Sequence, residues 1–204
     1  MISRLMVSLI SSGRLFLPPL VTVAIFLGGM DLLRADKEGG YDEPIVTKAL
    51  FAGEEIAMLA VDRDKLATNI AAFVVNSIKP DGKAEALDVA TRLIGLALHL
   101  NPRNRMAVVA NFQFKKGLSP KKVDPEYSPV TLAELMQRKA ELIHKRGGDL
   151  NAMLAGYMLA AAVDIDPRNE TAIYQLEMYR KAVAEIDWTP IVGRVRSGTV
   201  RSGG

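Results

Sequence analysis

Residues 98–117 read LHLNPRNRMAVVANFQFKKG, and residues 163–182 follow the same pattern as VDIDPRNETAIYQLEMYRKA. Pro-Arg-Asn, followed by Ala three positions later, is identical in both copies. The prolines, Pro102 and Pro167, lie 65 residues apart. Two matching segments at such a distance indicate a repeated supersecondary unit.

Each copy predicts the end of one helix, a turn and the start of the next helix. A proline forces the residue before it out of the helical region, so the preceding helices end at Asn101 and Asp166. Asn104 and Asn169 are suited to be N-caps, because their side-chain oxygen can accept a free amide hydrogen of the next helix.

Small residues recur on one face of the helix ahead of each turn. They let a neighbouring helix approach closely, while a larger residue between them fills the remaining space. The sets are Ala90, Ile94 and Ala97 in the first copy, and Ala155, Leu159 and Ala162 in the second.

The spacing Ala-x3-Ile-x2-Ala-x4-Pro at 90–102 and Ala-x3-Leu-x2-Ala-x4-Pro at 155–167 resembles the second helix of a tetratricopeptide repeat. That repeat is about 34 residues long, so two repeats span about 68 residues. The Trp, Gly and Tyr usual in its first helix are missing at most equivalent places, and Pro80 falls where a first helix would still run. The resemblance implies an all-α, right-handed stack of antiparallel helical hairpins whose first helices line a concave binding face.

Composition agrees with a helical domain carrying appendages. The chain has 204 residues, of which 49% are hydrophobic and only 6% aromatic, a balance that favours helices over a β-sandwich. A net charge of +3 is too mild to indicate nucleic-acid binding. The absence of cysteine excludes disulfides, thiolate chemistry and lipid attachment through a cysteine.

The N-terminus predicts export or membrane anchoring. Arg4 and Arg14 precede an uncharged apolar run at 15–30. Its length lies between a signal-peptide core and the roughly 18–20 residues of a spanning helix. We therefore expect residues 1–35 to form a signal peptide or one apolar anchor helix, with the body outside the cytoplasm. The alternative is a buried core helix.

A polar linker at 36–43 should connect this leader to a helical-repeat domain at 44–188, followed by a flexible basic tail at 189–204 that contains Arg194, Arg196 and Arg201. Turn counting predicts about seven helices in the domain. The apolar runs 45–61 and 64–79, with a charged patch at 62–65, could be one bent helix or two. Further helices are expected at 83–100 and 104–116, and the last one at about 170–186. Pro190 should prevent this last helix from continuing.

Residues 117–130 contain three prolines, which exclude a regular helix. This connection is either a functional loop or an insertion of no consequence. Thr131 and Glu134 match a capping box for the following helix. Gly147-Gly148 should end that helix through a left-handed residue, and Asp149 should cap the next one.

The candidates for chemistry all have simpler explanations. His99 and His144 fall on different helices without a zinc-binding spacing. Asp62 and Asp64 lack companion ligands, and the repeat explains Asp166, beside Asp164, as a helix-end residue. Neither pair supports acid–base catalysis without a cleft. No catalytic residue, metal or cofactor is therefore predicted. One set of aromatic residues is expected in the core or on a binding face: Phe112, Phe114, Tyr174 and Tyr179. One set of lysines is expected in a solvated loop or against an anionic partner: Lys115, Lys116, Lys121 and Lys122.

The sequence therefore predicts a non-enzymatic scaffold at the cell envelope, binding a protein or peptide through a helical-repeat groove. One alternative is a helical enzyme or enzyme accessory with a site near 117–130. A weaker one is electrostatic binding of anionic lipid or nucleic acid, of which nucleic acid is the less expected partner. The oligomeric state stays open.

Overall fold

The computed structural model describes residues 40–51, 56, 58–183 and 185–193. The predicted leader and residues 194–204 of the predicted tail lie outside these ranges. Within them the chain is all-α, without a β-strand, as predicted. The described helices are α1 (Ala60–Ser77), α2 (Ala84–Leu100), α3 (Arg105–Lys115), α4 (Pro129–Lys145), α5 (Asp149–Ile165), α6 (Glu170–Ala182) and α7 (Thr189–Val192).

Both Pro-Arg-Asn turns form as predicted. Asn104 Oδ1 accepts a hydrogen bond from the amide of Ala107 at 3.0 Å, and Asn169 Oδ1 accepts one from Ala172 at 3.0 Å. The residue before each proline also accepts from the backbone two positions later, at 3.0 and 3.1 Å. Because these bonds are local, the same short sequence produces the same turn twice.

The helices pack mainly against neighbours in the chain. α4 and α5 form a hairpin, α1 packs against α2 and α3, and α6 packs against α5. The two halves meet where α1 contacts α4 and where α2 contacts α5. The predicted small-large-small faces are all buried in this core: Ala90, Ile94, Ala97, Ala155, Leu159 and Ala162.

The helix predicted over 45–61 is wrong for most of its length, since α1 begins only at Ala60. The described residues before it are non-helical, because their backbone donors bind elsewhere. The amide of Ile45 donates to the carbonyl of Val192 at 3.1 Å, and the amide of Leu50 donates to His99 Nδ1 at 3.2 Å. The charged patch at 62–65 therefore lies inside α1.

Two predicted helix starts also need correction. Ser128 caps α4 by accepting from the amide of Thr131, and Pro129 occupies the first turn, so Thr131 lies within the helix. The wrong start arose because Ser128 and Thr131 are both acceptable caps and only the backbone chooses between them. α5 begins at Asp149, which does not cap it, because Gly148 with φ of 87° holds the N-cap position.

The C-terminal end of the body differs from the prediction as well. α6 ends at Ala182 rather than near 186, and Pro190 lies in the first turn of the short helix α7 instead of ending α6. Ile191 is fully buried against Gly95 of α2, with its Cγ2 3.0 Å from the position of an added Cβ. Ile191, which follows the predicted boundary at 188, therefore packs with the helical body.

Candidate functional site

Two helices expose apolar residues that a third, equivalent helix buries. α3, α4 and α6 each begin with a side-chain cap, and the fourth and fifth residues after the cap are apolar in all three. In α4 this pair is buried, whereas in α3 and α6 it is exposed, with Val109 at 44% and Tyr174 at 65%. The pairs are Leu132 and Ala133 in α4, Val108 and Val109 in α3, and Ile173 and Tyr174 in α6.

The difference follows from what comes next in the chain. α4 is followed after a short turn by α5, which packs along it. α3 is followed by the non-helical residues 116–128, and α6 by the non-helical residues 183 and 185–188. We name the exposed surface around Val108, Val109 and Phe112 the α3 face, and that around Ile173, Tyr174 and Met178 the α6 face. Each is a helix surface that no described segment covers as α5 covers α4.

The α6 face borders a groove of about 310 Å³ between α4, α5 and α6. Tyr174, Met178 and Val183 line one wall, and Ala140 and Leu159 lie among the residues opposite. Glu141 and His144 add polar groups to the lining, and Glu141 is bound to Lys145 at 2.7 Å. This mainly apolar groove could accept an apolar side chain or a helix edge.

A glycine explains how closely α6 approaches α5. A Cβ added to Gly156 would lie 2.5 Å from Cζ of Tyr179, so the tyrosine ring rests directly on the glycine. The same ring lies edge-on to His144, with 6.3 Å between centroids. The position of the α6 face therefore depends on Gly156 having no side chain.

A second cavity, of about 200 Å³, lies beside Arg92 and Trp188. Arg92 forms an ion pair with Asp164 at 2.9 Å and lies 5.5 Å from the centroid of the Trp188 ring. Burial raises the pKa of Asp164, and the attraction of Arg92 opposes this rise. Asp164 therefore belongs to a structural ion pair that fastens α2 to α5.

The other carboxylates considered as candidates are also occupied. Asp62 binds Lys139 at 2.7 Å, and Asp64 accepts from the amide nitrogen of Asn104 at 2.9 Å. Asp166 holds the turn before α6. Among the described residues, no group of three His, Asp or Glu side chains could hold a metal ion.

The two histidines lie apart and have different roles. His99 is 2% exposed, and its Nδ1 accepts the amide hydrogen of Leu50. Burial lowers its pKa, and the backbone of Ile191 offsets part of that effect. His144 is exposed on α4 beside Tyr179. They do not form a common site.

The connection at 117–130 is fastened along α1. Asn76 donates to the carbonyl of Val123 at 2.8 Å and accepts from its amide at 3.0 Å, and Asn69 accepts from the amide of Tyr127 at 3.2 Å. These bonds give the connection a structural role. All four flanking lysines are exposed, and one of them, Lys115, binds Glu43 at 2.6 Å.

The aromatic candidates divide between core and surface. Phe114 is buried and Tyr179 partly buried, whereas Phe112 and Tyr174 are exposed on the two faces. Sequence reasoning missed the faces as a pair, although the signal was present at the 65-residue spacing. Three exposed apolar positions recur at that spacing: Val108 with Ile173, Val109 with Tyr174, and Leu118 with Val183.

No protein-family model, curated protein or solved structure matches this chain. In the described ranges, no helix is both long and apolar enough to cross a membrane. The likeness to tetratricopeptide repeats therefore rests on the residues of the two turns and the helices around them.

Proposed function

We propose that the body of this protein is a tetratricopeptide-like, non-enzymatic module that binds other proteins through the α3 and α6 faces. The observation that carries the proposal is the repeated exposure of apolar residues at positions that α4 buries. A helical surface of this kind gains free energy when an apolar partner covers it.

The α6 face has the features of a binding surface. Tyr174 presents a large, rigid side chain at the edge of an apolar groove, and Met178 beside it can adapt its shape. Aromatic side chains next to a pocket often contribute most of the binding energy in protein complexes. The partner chemistry that fits is an amphipathic helix with its apolar side towards α6.

The leader supports a location at the cell envelope, with the helices outside the cytoplasm. Fractionation of the native protein, together with N-terminal sequencing, tests this part of the proposal. Recovery in the membrane or exported fraction is expected. A cytoplasmic protein with an intact N-terminus would contradict it.

Site-specific photo-cross-linking tests the binding itself. A photoreactive amino acid at Tyr174 or Val109 of the full chain should form adducts with other protein chains in cells, because both positions lie at the centre of a face. The matched control is Arg138, an exposed residue of α4 outside both faces, which should give none. Equal labelling at all three positions would contradict the proposal, and so would no labelling at any of them.

A further inference from the structure

The two faces carry opposite charges around the same apolar centre. The α3 stripe comprises Arg105, Val108, Val109 and Phe112, and the α6 stripe comprises Glu170, Ile173, Tyr174 and Glu177. In each helix these residues follow the spacing i, i+3, i+4 and i+7, so they share one side. α3 contains no acidic residue, whereas both charged members of the α6 stripe are glutamates.

We propose that the partner is a second copy of this chain, with the α3 face of one copy packed against the α6 face of the other. This inference rests on the proposed function. Antiparallel packing, as expected of a helical hairpin such as α4 with α5, would place the two apolar pairs opposite each other. Arg105 of one chain would then lie opposite Glu177 of the other. Glu177 is available for this contact, because its side chain is 52% exposed while it binds Arg180.

Charge also selects between the possible pairings. Two α6 faces packed in the same register would bring Glu170 of each copy opposite Glu177 of the other, and two α3 faces would place Arg105 opposite Phe112. Only the mixed pairing places an arginine opposite a glutamate. Because it joins two different surfaces, one α3 face and one α6 face stay open in each pair of chains, and the contact can continue into a ring or a filament.

The chain has no cysteine, so single introduced cysteines can report the contact. Two differently tagged full-length copies, one carrying Val109→Cys and the other Tyr174→Cys, are co-expressed and treated with a short bismaleimide. A strong adduct between the two tags is expected from the mixed pair and little from either variant paired with itself. Arg138→Cys paired with either variant is the control and should give no adduct.

Charge reversal tests the register. Arg105→Glu in the copy bearing Val109→Cys should lower the mixed adduct about fivefold, and Glu177→Arg in the other copy should do the same. The two reversals together, one in each copy, should restore it. The substituted residues Arg105, Val109, Tyr174 and Glu177 are all exposed, so the variants should fold. Unchanged thermal unfolding of each variant checks that they do.

The outcomes separate this inference from the function on which it rests. Adducts of equal strength in mixed and self pairs, or no adduct in any pair, would overturn the second-copy contact. If Tyr174 then still photo-cross-links to a different protein, the interaction module stands with another partner. The absence of both the bismaleimide adduct and the photo-cross-link would contradict the second-copy contact and the interaction module alike.

Discussion

The two copies of the Pro-Arg-Asn turn share their local hydrogen bonds and differ in what surrounds them. In the first copy the side-chain nitrogen of Asn104 donates to Asp64 at 2.9 Å and to Thr68 at 2.7 Å, both on α1. In the second copy the corresponding nitrogen of Asn169 is buried and has no hydrogen-bond partner among the residues that the structure describes. One sequence motif therefore makes the same turn but acquires a tertiary role only once.

Matching α1 to α4 by their buried residues gives a reason for this difference. Leu66, Ala67 and Ile70 of α1 are buried, as are Leu132, Ala133 and Met136 of α4 at the same relative spacing. In that alignment Val130 stands where α1 has Asp64, and Glu134 stands where it has Thr68. α4 thus offers an apolar residue where α1 offers the carboxylate that binds the turn.

An isosteric change tests this comparison most strongly. Asn104→Asp should lower the free energy of unfolding by about 3 kcal/mol, because the new carboxylate would face that of Asp64 and lose both donated hydrogen bonds. Asn169→Asp keeps the cap, and the negative charge at a helix start should make it neutral or stabilising by about 0.5 kcal/mol. Urea denaturation measures both changes. Equal losses in the two variants would show that the copies do not differ as described.

The next largest effect is expected where α6 rests on α5. Gly156 lies 65 residues after Thr91, so Gly156→Thr inserts the residue that the first copy has. The side chain would collide with the Tyr179 ring, and the overpacking should cost about 2 kcal/mol. A double-mutant cycle with Tyr179→Ala should recover most of this loss. Additive losses in urea denaturation would mean that the ring does not depend on the glycine.

The pH dependence of stability should distinguish the copies at another position of the repeat. The first copy has the buried His99 there, and the second copy has the partly buried Asp164. Burial lowers the pKa of His99, so the folded state binds fewer protons than the unfolded state. Its contribution to stability is complete above the unfolded pKa of about 6.5 and is lost as pH falls below it, by at most about 1.4 kcal/mol per pH unit. His99→Gln should flatten this part of the profile between pH 7 and 5. An unchanged slope would assign the acid sensitivity to other groups.

The smallest effect concerns the connection after α3, which hydrogen bonds fasten to α1. Asn76→Ala removes both hydrogen bonds to Val123, worth about 1 kcal/mol, and should free this segment locally. Trypsin should then cleave after Lys122 about fivefold faster. Cleavage after Arg146, in the turn between α4 and α5, is the internal reference and should not change. An equal rise at both positions would indicate global destabilisation instead.

Local chemistry was readable in the sequence at the two Pro-Arg-Asn turns and at Gly147-Gly148, where one short segment supplies the groups involved. The capped turns at Asn104 and Asn169 and the positive-φ glycines Gly147 and Gly148 form as predicted. The helix predicted before Ala60 failed because distant residues compete for the backbone. The amide of Leu50 binds His99 rather than a helical carbonyl, and the described residues of the apolar run before Ala60 are not helical.

The sequence by itself determined that the described body is helical, that its helices turn at two equivalent corners, and that small residues line its packing faces. Only the tertiary structure decided which equivalent helices are covered and which are exposed. The physical reason is that capping and turn preferences depend on a few adjacent residues, whereas burial depends on which helix comes to lie alongside. Val108 and Val109 of α3 are apolar, like the buried Leu132 and Ala133 of α4, and the two pairs differ in that α5 packs along α4.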